Sequence, residues 1–252
     1  ATSWVYGSDA NFDGQSTFLP KIGFEKIIDQ FEYADSAVTL GWGLSDEELF
    51  MKWETVLDNE QQPFFSSALT ITNHHPFEVP DEYKLHQGEL VKDRFREAVY
   101  YTDAMLGKFL SRITEKPWFA NTVIFITADT SNFQPAELDS RNFEEFVKLR
   151  SQVPLLILSG KSVNSGNSNG GFVNTQPASQ VELAPTIMDL LAEKITVPWV
   201  GRSLLNPMDG SSQEMPLRAY TNRPGAYWAV IEGNTGYYQE DNKIDHFTGN
   251  LS

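Results

Sequence analysis

Asn121-Thr-Val-Ile-Phe-Ile-Thr-Ala-Asp129 and Asn73-His-His-Pro-Phe77 each place polar side chains directly after an apolar run. In the first, an apolar run from Val123 to Ile126 ends on a carboxylate. In the second, the run from Phe64 to Ile71 ends on two imidazoles. A buried strand that delivers a polar side chain at its carboxyl end is how open α/β sheets build their sites, because the loops there line the crevice. One acidic end and one imidazole end suggest a site for a metal ion or an anionic ester.

The rest of the chain fits that grammar. Phe64 to Ile71, introduced by Pro63, is short and β-rich enough for a strand, and Asn121 to Thr127 and Val153 to Leu158 are almost wholly apolar, as expected of parallel strands covered on both faces. Trp4 to Tyr6 predicts a further short strand, followed by a polar turn from Gly7 to Gly14. Ser45-Asp-Glu-Glu48 has capping-box spacing and opens a helix to about Leu57. The longest helical signal runs from Glu89 to Ile113, with Phe95, Ala98, Val99, Thr102, Met105, Leu106, Phe109 and Ile113 on one stripe. Another helix is expected over Ser179 to Ala192, with Pro185 acceptable only near its start. Lys161 to Gly171, rich in Gly, Asn and Ser, predicts a mobile loop. Beyond Leu205 the short runs Arg218 to Thr221, Tyr227 to Glu232 and Tyr237 to Gln239 alternate with turn residues, the punctuation of an antiparallel meander. The fold class is therefore α/β: a parallel-rich central sheet flanked by helices, with a small antiparallel C-terminal piece. The expected division is 1–205 for the α/β part and 206–252 for the antiparallel subdomain.

At 252 residues, 40% hydrophobic and 13% aromatic, the chain can bury a full core and is not a disordered sequence. A formal charge of −15 argues against nucleic acid, whose phosphates need a basic face, so nucleic acid is not an expected partner. There is no cysteine, hence neither disulfide framework nor thiolate chemistry. No apolar run approaches the roughly 18 residues of a spanning helix. The start, Ala-Thr-Ser-Trp-Val-Tyr, lacks the basic end and apolar stretch of a signal peptide and begins on a strand, so the chain is expected to be part of a longer protein.

Asp129 reads in two ways: as a ligand, since hard cations favour carboxylate oxygen, or as the cap of the next turn. His74 is the candidate of the imidazole pair, because adjacent side chains diverge and His75 would not reach the same ion; a loop histidine satisfied by backbone groups is the alternative. Asp103 reads as a solvated helix carboxylate, and Asp46-Glu47-Glu48 as first-turn acids complementing the helix dipole. No Gly-x-Ser-x-Gly elbow and no phosphate-cradling glycine loop is present.

Asn73-His-His-Pro-Phe77, Tyr101-Thr-Asp-Ala-Met-Leu-Gly-Lys-Phe109, Asn121 to Asp129 and Gln180-Val-Glu-Leu-Ala-Pro-Thr-Ile-Met-Asp-Leu-Leu191 occur in an order and spacing that resemble the C-terminal part of a bacterial sulfatase-family protein of the alkaline phosphatase superfamily. The branch is that of the lipoteichoic acid synthase-like phosphoglycerol transferases. Trp42-Gly-Leu-Ser-Asp-Glu-Glu-Leu-Phe50, Val153-Pro-Leu-Leu-Ile157 and Gly201-Arg-Ser-Leu-Leu205 extend the resemblance over residues 4 to 205. It implies an alkaline phosphatase-like α/β fold and hydrolysis or transfer at a sulfate or phosphate ester. It also implies a divalent metal (Mn, Mg or Ca) and an envelope-facing domain tethered by upstream membrane helices, acting on an anionic ester or an envelope glycan or lipid. The catalytic nucleophile of such enzymes, an activated Thr or a modified Cys or Ser, would lie upstream, so no catalytic residue is assigned here. His74 is carried over as substrate-binding and Asp129 as a metal ligand.

Two departures accompany the resemblance. The family strand ends Asp-His, both ligands, whereas this one ends Asp129-Thr130, and a hydroxyl is a poorer ligand than imidazole for most transition ions. Tyr6-Gly-Ser-Asp-Ala-Asn-Phe-Asp13 falls where lipoteichoic-type enzymes place a histidine and then an arginine for the substrate phosphate; no such arginine is present. The alternative to an enzyme is thus a catalytically degenerate sulfatase-like domain that binds an envelope glycan or a protein partner.

Overall fold

The computed structural model describes residues 1–85, 90–131, 152–160, 173–174, 178–193, 196 and 201–205, together with the backbone of four strands between 218 and 248. The expected loop from Lys161 to Gly171 lies outside the described residues. The chain forms two compact units, Ala1–Ile124 with Leu158–Ser162, and Phe125–Ile157 with Val163–Ser252.

The first unit is organised by a parallel sheet. Strand β1 (Thr2–Tyr6) is central, with β2 (Lys26–Ile28) on one side and β5 (Phe65–Leu69) on the other. Both pairings are parallel, with Trp4 opposite Ile27 and Ser67. Being central, β1 buries Ser3 and Val5 completely, and Ser3 Oγ lies 2.7 Å from Ser66 Oγ across the sheet. Between β2 and β5 come β3 (Thr39–Leu40) and β4 (Gly43–Leu44), an antiparallel pair closed by Gly41 and Trp42. A single helical turn, α1 (Gln15–Phe18), precedes β2.

Two helices flank this sheet. Helix α2 (Asp46–Asn59) starts where the capping spacing places it: Ser45 Oγ accepts from Glu48 N at 3.3 Å. Helix α3 (Val91–Ile113) is two residues shorter at its start than the sequence predicts. Phe50 and Trp53 of α2 stack on Phe109 of α3 at 5.1 and 5.0 Å. The core there comprises Leu57, Phe77, Ala98, Tyr101, Met105, Ile113 and Trp118, among others.

The α3 stripe needs one correction. Met105, Phe109, Ala98 and Ile113 are buried and Phe95 is packed against the core, but Val99 is exposed, and Tyr101 and Glu97 are buried instead. The buried face is turned from the predicted one because an aromatic ring, Tyr101, packs edge-on to Tyr83 at 4.8 Å and is itself fully inaccessible.

Strand β6 (Val123–Thr127) pairs with β7 (Leu155–Ser159), so the predicted strands exist but are divided between two ladders, with β5 beside β1. The helix expected over 179–192 is a 3₁₀ turn, Gln180–Glu182, leading into α4 (Leu183–Leu190). Pro185 therefore falls in the first α-helical turn, where its missing N–H costs nothing. Glu182 accepts from Ser179 N at 2.5 Å, and Leu204 N donates to Thr186 Oγ1 at 3.0 Å, docking the 201–205 segment on this helix. The antiparallel piece is a four-stranded meander, β8 (Arg218–Arg223), β9 (Tyr227–Glu232), β10 (Thr235–Glu240) and β11 (Lys243–Thr248), in the order β11-β10-β9-β8. The sequence predicts the first three of these strands and not β11. Among the described residues no helix is long and apolar enough to cross a membrane.

Candidate functional site

The parallel pairing of β1 and β5 brings both carboxyl ends to one edge, and the segments that leave them build the site. After β1 the chain turns through Gly7, Ser8 and Asp9; after β5 it runs through Ile71 and Thr72 to His74. Here lies an open pocket of about 500 Å³ lined by Tyr6, Ser8, Asp9, Asn11, Phe12, Trp42 and Ile71.

Trp42 reaches the pocket from the β3–β4 turn, which close backbone approaches hold in place. Leu44 N donates to Gly7 O at 2.7 Å, and a Cβ on Gly43 would lie 2.5 Å from that same oxygen. Gly41 has φ +60, and a Cβ on it would meet Pro76 Cδ at 3.1 Å. Trp42 then stacks on His74, with ring centroids 3.7 Å apart and planes inclined by 27°. The opposing segment, Asn73-His-His-Pro-Phe77, is thus gripped by the turn that carries the tryptophan.

The His74 loop is also fixed from beneath. Asp46, fully buried, accepts from Ile71 N and Thr72 N, both at 3.2 Å, through Oδ1. Its Oδ2 accepts from Thr102 Oγ1 at 2.5 Å, and its own N–H donates to Thr72 Oγ1 at 3.2 Å. Further along, His74 N donates to Ile71 O and Phe77 N to His74 O, each at 2.9 Å. His74 Nδ1 lies 3.0 Å from His75 O, and since a carbonyl only accepts, that nitrogen carries the proton. Nε2 of the exposed ring is then left to accept a proton from, or when charged donate one to, a bound group.

His74 thus stands at the pocket edge of the first unit. Asp103, one residue from Thr102, is exposed, in keeping with a solvated role. The sequence presents Trp42 only within a longer motif and Asp46 only as a first-turn acid, and neither reading places them at the site. The available signal for Trp42 was its position between two glycines, a way to present a large ring from a tight turn; Asp46 carried none, because its partners lie 25 and 26 residues away.

Asp129 and Thr130 belong to the second unit. Both are exposed just after β6, and Asp129 Oδ1 accepts from Thr130 N at 2.7 Å. Gln180 Nε2 donates to Ala128 O at 2.6 Å and Asp129 O at 3.1 Å, tying the loop to the turn before α4. One oxygen of the carboxylate is therefore engaged by the next backbone N–H. Among the described residues no three His, Asp or Glu side chains are grouped to hold a cation. Tight divalent sites need several oxygen or nitrogen donors fixed together, so the described residues of this chain do not by themselves fit a metal.

The family model described as Sulfatase matches residues 1–193. Lipoteichoic acid synthase 1 of Bacillus subtilis is 26% identical over 187 residues, covering 69% of this chain and 29% of that protein. Phosphoglycerol transferase I of Xanthomonas euvesicatoria is 26% identical over 212 residues, covering 80% of this chain and 29% of the other. The chain thus spans under a third of the length of these curated relatives. Among solved structures, a protein in the alkaline phosphatase superfamily from Vibrio parahaemolyticus superposes with a TM-score of 0.77 at 25% identity, over 97% of this chain and 56% of that one. The lipoteichoic acid synthase LtaP from Listeria monocytogenes has the same fold, with a TM-score of 0.76 at 19% identity over 98% of this chain and 62% of the other. With the family model covering more than three quarters of its residues, this chain belongs to the sulfatase family.

Proposed function

We propose that the protein of which this chain forms part acts at a sulfate or phosphate ester, as a phosphoglycerol transferase or ester hydrolase of the bacterial envelope. The observation that carries this reading is the clamped His74 loop: a buried carboxylate, a stacked indole and a closed turn hold one imidazole at the carboxyl edge of a parallel sheet. In the open α/β architecture that edge is where ligands are bound. His74 contacts the anionic group of the substrate in this reading. The names of the relatives, lipoteichoic acid synthase and phosphoglycerol transferase, support a glycerol phosphate-type ester and a place in the envelope.

Enzymes of this superfamily generally use a divalent metal. Asp129 is the one ligand assigned to it in this chain; the further ligands and the nucleophile would come from outside these residues. When bound, such an ion would stabilise negative charge on the reacting ester oxygens. The test is metal analysis of the full-length protein together with aryl sulfate and phosphodiester turnover. A stoichiometric divalent ion is expected, with turnover that falls about a hundredfold in His74→Ala. Turnover unaffected by that substitution would remove His74 from the site.

A second reading, a degenerate domain that binds without turning over, is favoured by Thr130 at the position of an expected imidazole. A full-length protein that is folded, metal-free and inactive on both substrate classes would establish it.

A further inference from the structure

Helix α3 has two faces, and the core of the first unit accounts for one of them. Glu97, Ala98, Tyr101, Met105 and Phe109 turn inward and are buried. The opposite side advances by three and four residues through Lys92, Arg96, Val99 and Asp103, all exposed, with Tyr100 beside them. At the middle of that stripe two large apolar side chains stand together in solvent, Val99 at 43% and Tyr100 at 48% exposure. Exposed Leu90 and Val91 lie at the start of the same helix.

The charges on this stripe are ordered. Arg96 comes three residues before the Val99–Tyr100 pair and Asp103 three residues after it. Within the chain Arg96 is weakly engaged: its Nη1 lies 3.9 Å from Asp93 Oδ1, and its side chain is 65% exposed. Asp103 takes no hydrogen bond or ion pair among the described residues. A cation at one end, an anion at the other and an apolar pair between them form a surface complementary to itself after a half-turn. Self-complementarity of that kind is what a two-fold interface between identical chains requires, since each residue meets its counterpart twice. An anionic bilayer suits the stripe less well, because Asp103 would face the headgroups. A partner of one charge sign would match Arg96 or Asp103 and be repelled by the other.

We propose that the outward face of α3 is a homodimer interface, on which two copies of this chain pack their α3 helices antiparallel about a two-fold axis between Val99 and Tyr100. Arg96 of each copy then lies opposite Asp103 of the other, and Val99 lies against Tyr100. Leu90 and Val91 come alongside the C-terminal half of the facing helix and widen the apolar contact. One helix pair falls at the small end of interface sizes, so the dimer is a reversible one with micromolar affinity. This interface lies outside the His74 pocket and does not depend on the ester chemistry proposed above.

The test is sedimentation velocity of the full-length protein over a micromolar concentration series, paired with disulfide trapping. A concentration-dependent dimer is expected. Arg96→Asp and Asp103→Arg should each weaken it about tenfold, because two like-charged pairs then face each other across the axis, and the two substitutions combined should restore it. All of these positions are exposed, and unchanged circular dichroism shows that the variants keep the fold. For trapping, Val99→Cys is oxidised with copper phenanthroline, in a chain that has no cysteine of its own. A disulfide joining position 99 of both copies is expected by mass spectrometry. Met51→Cys, equally exposed on α2, should give none. The proposal is overturned if the protein sediments as a monomer throughout, if the combined swap is as weak as either single one, or if positions 99 and 51 are trapped alike. A dimer formed through another part of the full-length protein would survive both single swaps, and that outcome also overturns it.

Discussion

A carboxylate in the first turn of a helix is ordinarily solvated and complements the helix dipole, and Asp46 reads that way in the sequence. In the fold it is fully buried and accepts two backbone N–H groups and a threonine hydroxyl. Removing it strands the buried Thr72 N–H and the half-buried Ile71 N–H, and takes from Thr102 Oγ1 the nearer of its two acceptors. Asp46→Ala is therefore expected to cost about 2–4 kcal/mol, measured as a lower urea midpoint, since unsatisfied buried polar groups carry their full desolvation penalty. Asp46→Asn, which keeps one carbonyl oxygen for the backbone donors, should cost less. Equal stability of the Ala variant and the wild type would remove the clamp from the account of His74. Gly43 makes the second prediction at this scale. A Cβ there would stand 2.5 Å from Gly7 O, a backbone atom with no flexible end to yield. Gly43→Ala should cost about 1–3 kcal/mol and change the Trp42 emission, because the strain falls on the turn that presents that ring.

Helix α3 shows which element-level features were legible and why. Its length and most of its buried residues follow from 3.6-residue periodicity, and its predicted start is off by two residues. Which of Val99 and Tyr101 turns inward does not follow, because Tyr83 and α2 decide it through packing that periodicity cannot see. Likewise the strands leading to His74 and Asp129 were legible as apolar runs, whereas their division between ladders depends on long-range pairing. Gly107 tests α3 directly: an added Cβ would meet nothing within 4 Å, so Gly107→Ala should stabilise by about 0.5–1 kcal/mol through helix propensity alone. The far ends of α2 and α3 are joined by charge. Arg112 Nε and Lys116 Nζ reach Glu54 at 2.5 and 3.0 Å; Lys116 Nζ also reaches Asp58 at 2.5 Å, with Trp118 Nε1 on its other oxygen at 2.9 Å. Burial pushes the Glu54 carboxyl up, but hydrogen bonds from Arg112 and Lys116 outweigh it and hold the group below its usual range. Hydrogen bonds from Lys116 and Trp118 do the same for Asp58. A depressed folded-state value means that the clasp contributes above the unfolded carboxylate range, near pH ~4, and is lost as pH falls through the folded values. Lys116→Ala should therefore lower the urea midpoint at neutral pH, and the difference from wild type should shrink on acidification. A difference constant down to pH ~2 would contradict this assignment.

At the scale of the whole molecule, the strands carry more apolar surface than the described structure covers. Parallel strands read as continuous hydrophobic runs because both sheet faces are normally packed. Phe65 of β5 is 49% exposed and Leu156 of β7 is 50% exposed, and Val123 and Leu155 are also exposed. On β7 the adjacent Leu155 and Leu156, which point to opposite faces of the strand, are both exposed, a condition that sheets of this class do not ordinarily leave uncovered. The curated relatives are more than three times as long as the stretch matched here, so they hold chain enough to form a second helical layer. On the proposal that this chain forms part of a longer protein, the expected outcome is that further chain of the full-length protein covers these strands. Amide hydrogen exchange checks this: β5, β6 and β7 should exchange markedly more slowly in the full-length protein than in the 252-residue chain, whereas α3, already buried against α2, should change little. The same contrast should appear with a hydrophobic dye, bound by the shorter chain and not by the longer. Equal protection of the three strands in both proteins would mean that the open faces are native surface, and a partner of another kind would then have to be sought for them.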